Sequence, residues 1–222
     1  MNVRRILTIL SLVGCAACAK EGAPAGPSQS AKAPTPSVNI APAPAAPANV
    51  LTLVCDGRSF ARDTTIDTIR NTFGTGNVTV GAPDEGFQDV WVFANDPRRA
   101  IDVRFVDDGG GLRLESAQIM GTDSEWVLPG GLKIGDNLET VERYNGKPFG
   151  LWGFGGDNGG ASEDWNGGAM QAATNPDCTY FVNFSQQHNA VSEGSHVQSD
   201  DAAVRALKPK ISGFGITLKG AG

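Results

Sequence analysis

Histidine and tyrosine are nearly missing from this chain, with two of each in 222 residues, and aromatics make up only 7% of it. Two histidines leave little material for zinc ligation or imidazole general-base chemistry. There is no Gly-x-Ser-x-Gly elbow, no Ser-x-x-Lys pair and no His-Glu-x-x-His helix, so the catalytic classes those motifs announce are not indicated. No stretch approaches the roughly 20 apolar residues of a membrane-spanning helix. Positive charge is also short. Lys and Arg total 18 against 24 Asp and Glu, a net charge of −6, whereas a phosphate-binding surface must be basic. Nucleic acid is therefore not an expected partner. What is plentiful is glycine, at 29 residues, and proline, at 13, within a chain whose 40% hydrophobic content is enough for a packed core.

The first residues carry an address. Arg4 and Arg5 form a basic start, and Ile6 to Gly14 form an apolar run too short to span a bilayer. Leu12-Val13-Gly14-Cys15 resembles the bacterial lipobox. The resemblance implies cleavage after Gly14, so that 1–14 is a lipoprotein signal peptide. It also implies acylation of Cys15 with diacylglycerol and a palmitate-type chain, and durable anchoring. Ala16 in place of Asp, by resemblance to Gram-negative lipoproteins, implies outer-membrane delivery and a periplasm-facing globular region. Residues 19–49 contain seven Pro and ten Ala, a composition that favours extended polyproline II over a core. Residues 15–49 thus read as a lipidated tether, and the stretch 19–49 has a reach of up to roughly 90 Å. Residues 50–222 then hold 14 basic against 23 acidic residues, a net charge of −9. Such a surface repels anionic lipid and steers towards basic partners.

Inside this globular region, a pair of segments match at a shift of 72 residues. Asp63 to Gly74 and Gly135 to Gly146 each read as a short helix closed by glycine, with Ile66 and Ile69 superposing on Leu138 and Val141. Thr64 with Asp67, and Asp136 with Glu139, have the spacing of an N-cap followed by a helix-dipole acid. Strands are predicted at Val50 to Cys55, Gln88 to Ala94, Ala100 to Val106, Gly111 to Ile119, Phe149 to Phe154, Cys178 to Phe184 and Ile211 to Leu218. In the second of these, Val90 and Val92 point inward and Trp91 and Phe93 outward. Two helices among many strands imply an α+β fold, antiparallel sheet with short helices packed on one face, as two similar tandem units at 50–128 and 129–222.

The run Gly131-Leu-Lys-Ile-Gly135, a helix, then Asn145-Gly-Lys-Pro148 resembles the helix–hairpin units of the SmpA/OmlA (BamE-type) outer-membrane lipoproteins. It also resembles the tandem units of β-lactamase inhibitory protein. Both likenesses imply short helices on an antiparallel sheet and a binding protein without catalysis.

Cys55 and Cys178 are the cysteines left in the globular region once Cys15 is acylated, and an oxidising envelope permits a bridge between them. Residues 153–168 are rich in Gly and Asp. Asp157, Asn158, Glu163, Asp164 and Asn166 offer oxygens to a hard cation such as Ca²⁺, although the order is not that of an EF-hand loop. The plainer reading is two tight β-turns. Trp91, Trp152, Phe154 and Trp165, with Asp157, make a candidate binding surface if their side chains face solvent. His188 and His196 read as surface-loop residues. The sequence thus points to a non-enzymatic envelope lipoprotein that binds another envelope protein, as assembly accessory or inhibitor, without a cofactor. The rivals are a small-ligand or Ca²⁺ binder using 153–168, and an envelope hydrolase using carboxylates.

Overall fold

A computed structural model of the chain describes residues 51–55, 60–107, 109–156, 158–185 and 191–219. The expected signal peptide, the tether and Cys15 lie outside these residues, as do Asp157 and His188. In chain order the elements are β1 (Leu51–Thr52), α1 (Ile66–Phe73), β2 (Val78–Val80), β3 (Phe87–Val92), β4 (Ile101–Asp107), β5 (Leu112–Met120), β6 (Trp126–Val127) and α2 (Leu138–Asn145). They continue with β7 (Gly150–Phe154), β8 (Ser162–Asp164), α3 (Ala169–Ala173), β9 (Cys178–Phe184), β10 (Val191–Gln198), α4 (Ala202–Ala206) and β11 (Ile211–Leu218). The fold is α+β, with strands outweighing helices.

Six strands form the principal sheet in the order β2-β3-β4-β5-β11-β9, antiparallel throughout. Alternation decides which side of it is covered. On β4, Ile101, Val103 and Phe105 are buried while Asp102 and Arg104 face solvent. The buried set joins Val90, Val92, Leu114, Ala117, Ile119, Phe214 and Ile216 in one core that also takes Ile69 of α1, Leu138 and Val141 of α2, Met170 of α3 and Val204 of α4. The helices therefore cover one face and leave the other open. A second sheet, β10-β7-β8, meets the first at β9 through an isolated bridge between Ala161 and Asn183. β1 and β6 form a short parallel pair, and Cys55, just after β1, is disulfide-bonded to Cys178 at the start of β9, with Cα atoms 5.9 Å apart. Tyr180 and Asn175 hold the same corner: the Cys55 N–H donates to Tyr180 Oη at 2.7 Å, and Asn175 Nδ2 donates to the Cys55 carbonyl at 2.6 Å.

The helices start one residue later than the capping pattern predicted. Thr65 and Asn137, not Thr64 and Asp136, are the N-caps, accepting from the N–H groups of Thr68 and Thr140. Thr64 and Asp136 instead brace the preceding turns, accepting from the N–H groups of Ala61 and Lys133. Both helices have eight residues and begin 72 apart, as do the strands that follow them, at Val78 and Gly150. Beyond those strands the two halves diverge, because the second adds α3, β10 and α4. Phe93 departs from its expected place. It leaves β3 with φ of 54°, its N–H donates to the Asn77 carbonyl at 2.7 Å, and its ring meets Phe73 edge-on instead of standing beside Trp91.

Candidate functional site: the open face of the six-stranded sheet

Register carries one row of side chains across every strand of the principal sheet. Thr79 on β2 lies opposite Trp91 on β3, Trp91 opposite Asp102 on β4, Asp102 opposite Gln118 on β5, Gln118 opposite Gly215 on β11, and Gly215 opposite Phe181 on β9. Two aromatics in this row lie down over glycines. A Cβ at Gly81 would come within 3.0 Å of Trp91 Cη2 and Cζ3, and one at Gly215 within 2.5 Å of Phe181 Cζ. At Gly215 only hydrogen fits, whereas at Gly81 a methyl group would have to displace the end of the Trp91 ring. Trp91 remains 38% exposed and Met120, on the next row, 54%.

Between Trp91 and β5 the face sinks into a trough of about 340 Å³, lined by Asp89, Asp102, Arg104, Glu115, Gln118 and Met120 among others. Arg104 is committed to Asp89 in a two-pronged ion pair, Nε to Oδ1 at 2.8 Å and Nη2 to Oδ2 at 3.1 Å. Its guanidinium also lies 5.5 Å from the Phe87 ring centroid. The Asp102 carboxylate has no hydrogen-bond or ion-pair partner among the described residues. Partial burial, and then the charge of Asp89, hold its carboxyl above the ordinary Asp range.

The remaining sequence-predicted surface residues separate. Trp152 is half-buried on β7, in the smaller sheet, opposite His196 on β10, with ring centroids 4.2 Å apart. His196 Nδ1 in turn contacts Glu163 Oε2. Phe154 and Trp165 are core residues, 0% and 1% exposed, which corrects their assignment to a binding surface. The turn after β7 folds back over Phe154, so that a Cβ at Gly160 would sit 2.8 Å from its Cε1. Trp165 packs on Phe149 at 5.0 Å, and its indole N–H donates to the Tyr180 carbonyl at 3.0 Å. That satisfies the polar atom that would otherwise favour solvent.

The side-chain oxygens of Glu163, Asp164 and Asn166 turn separate ways. Glu163 faces His196, Asp164 Oδ1 accepts from the Asn166 N–H, and Asn166 Nδ2 donates to Pro148 O and to Gln198 Oε1. No group of three His, Cys, Asp or Glu placed to hold a metal ion occurs among the described residues. The described part of the loop is turn scaffolding, in which side-chain amides and carboxylates close tight turns.

Sequence reasoning missed two polar anchors. Buried Ser199 donates to Glu142 Oε2 and accepts from the Phe149 N–H, while Arg205 donates to Glu142 Oε1, so α2, α4 and the starts and ends of β7 and β10 are tied together. Buried Asn145 donates to the carbonyls of Lys147 and Trp165 and accepts from the Met170 N–H at the start of α3. Neither has a local signature, because the anchoring partners lie as far as 63 residues away. His196, expected in a surface loop, lies on β10, whose polar sequence conceals an edge strand.

Comparison with protein-family models, curated proteins and solved structures finds no match for this chain. What the fold defines is a class: an α+β domain whose helices cover one sheet face and whose opposite face is open. No helix among the described residues is long and apolar enough to cross a membrane.

Proposed function

We propose that this chain is a lipid-anchored protein of the bacterial envelope that works by binding another envelope protein, without catalysis, on the open face of its six-stranded sheet. The observation that carries the reading is the uncovered row from Thr79 to Phe181, with Trp91 exposed within it and Met120 beside it. Exposed tryptophan on a rigid sheet is the kind of anchor around which protein interfaces are organised. The helices and first strands repeated at a 72-residue offset support a related pair of units, whose last long strands, β5 and β11, are neighbours in the one principal sheet. Acylation at Cys15 and the Ala/Pro-rich segment would hold this face near its partner and raise the local concentration. The test places a photo-crosslinking residue at Met120 of the full chain in intact cells, with Asp67 on α1 as control. A discrete protein captured from Met120 and not from Asp67 is expected; equal or absent capture at both positions would remove the reading.

A further inference from the structure

We infer that the trough between Trp91 and Asp102 is a seat for a cationic side chain, lysine or arginine, presented by the protein partner. The inference rests on the docking reading above and deepens it by naming the chemistry recognised. Three carboxylates and one guanidinium line the trough, and the guanidinium is already spent on Asp89. Acceptors are therefore in surplus, at Asp102 and Glu115, and the trough's own cation is taken. A ligand that fits must bring donors and positive charge. Trp91 lies directly opposite Asp102 on the neighbouring strand, with the far end of its ring beside Gly81. The ring is 38% exposed and lines the same trough as Asp102, so a cation held by the carboxylate meets it too, and ion pairing and cation–π attraction act on the same group. A negatively charged globular region adds long-range attraction for the same kind of partner. A glycan would also stack on Trp91 and donate hydroxyls to the carboxylates, but it brings no positive charge to balance them.

The unpaired state of Asp102 agrees with a group whose partner arrives on binding. Its carboxyl is held above the usual range by partial burial and by Asp89. The attraction of a bound cation offsets both penalties, which a neutral ligand does not do.

The experiment titrates the full chain in detergent micelles with hexa-arginine, hexa-glutamate and chitohexaose while following the indole N–H signals of its four tryptophans. Hexa-arginine is expected to move the Trp91 signal, and Asp102→Asn to weaken its affinity about tenfold with the other three indole signals in place. Trp91→Leu, followed by calorimetry, is expected to weaken it by a similar factor, while Asp67→Asn leaves it unchanged. Equal affinity of hexa-arginine for the parent and the Asp102→Asn variant would overturn the inference, as would a Trp91 response to chitohexaose in place of hexa-arginine. Continued capture of a discrete protein from Met120 alongside either result would show that the docking reading stands and the cation seat alone has failed.

Discussion

The β3–β5 hairpins and the β7–β9 segment use tryptophan in opposite ways. On β3, strict alternation sends Val90 and Val92 into the core and leaves Trp91 on the open face. In the β7–β9 segment, Trp165 follows β8 outside any strand, so no period fixes its side, and it is wedged between Phe149 and the Tyr180 carbonyl. The lesson is that a tryptophan's availability to a partner follows from the backbone that carries it. A regular edge-to-edge register exposes one side of a strand by geometry, whereas an irregular connection buries whatever ring fills the gap beneath it.

Replacing the two rings separates their roles. Trp165→Ala is expected to cost about 3–5 kcal/mol, read as a drop in the denaturant midpoint, because it empties a large core volume and leaves the Tyr180 carbonyl without its indole donor. Trp91→Ala is expected to cost less than about 1 kcal/mol, since an exposed ring on a sheet contributes little cross-strand packing. Comparable losses at the two positions would break the comparison.

The disulfide comes next in size. It closes a separation of 123 residues. Cys55→Ser with Cys178→Ser is expected to lower stability by about 2–5 kcal/mol in thermal or urea unfolding. Gly215→Ala follows, at about 1–3 kcal/mol, because the new methyl would stand 2.3 Å from the Ala117 carbonyl oxygen, a backbone atom that cannot swing away. Gly81→Ala meets the far edge of the Trp91 ring at 3.0 Å and stands at 3.4 Å from the Asp89 carbonyl oxygen, an ordinary contact. Its main expected effect is a shifted Trp91 indole signal with stability nearly unchanged. The contrast between these two glycines tests whether the open face is rigid at β11 and adjustable at its β2 end.

How much of this was readable in the chain divides along the same line. β4 and β11 were predicted almost to the residue because their alternation or apolar density is strong. The Cys55–Cys178 pair was anticipated from the count of remaining cysteines, and the two helices from their apolar stripes and closing glycines. The caps were displaced by one residue because Thr64-Thr65 and Asp136-Asn137 each offer two capping side chains in succession, and only the tertiary turn chooses between them. β10 was hidden because its residues face solvent along an edge, with Val197 its one buried side chain among those described. The burial of Phe154 was hidden for another reason: what covers it is the glycine turn after its own strand, which alternation does not register. Of the candidate surface, Trp91 was legible and Asp102 was not, since an acidic residue on an exposed strand face has no signature until its neighbours are known to be taken.

Asp102 gives the smallest expected effect and the one with the least common sign. Its carboxyl is raised above the ordinary value of 3.8, first by partial burial and then by Asp89, so the folded protein holds that proton more tightly than the unfolded chain does. The contribution to stability is therefore present at low pH and is lost as pH rises from about 3.8 through the raised value, the reverse of a carboxylate in an ion pair. Asp102→Asn removes the charge and keeps the shape. It is expected to leave the folded protein slightly more stable at neutral pH and no different in acid, measured as the difference in denaturant midpoint between pH 7 and pH 3. Arg104 and Asp89, paired beside it on β4 and β3, and Glu115 on β5 are unchanged in that variant, so the comparison isolates one carboxylate. A residue whose neutralisation stabilises the free protein while weakening its hold on a basic peptide is retained for binding and not for folding. A destabilised Asp102→Asn at pH 7 would instead make the carboxylate part of the sheet's own structure.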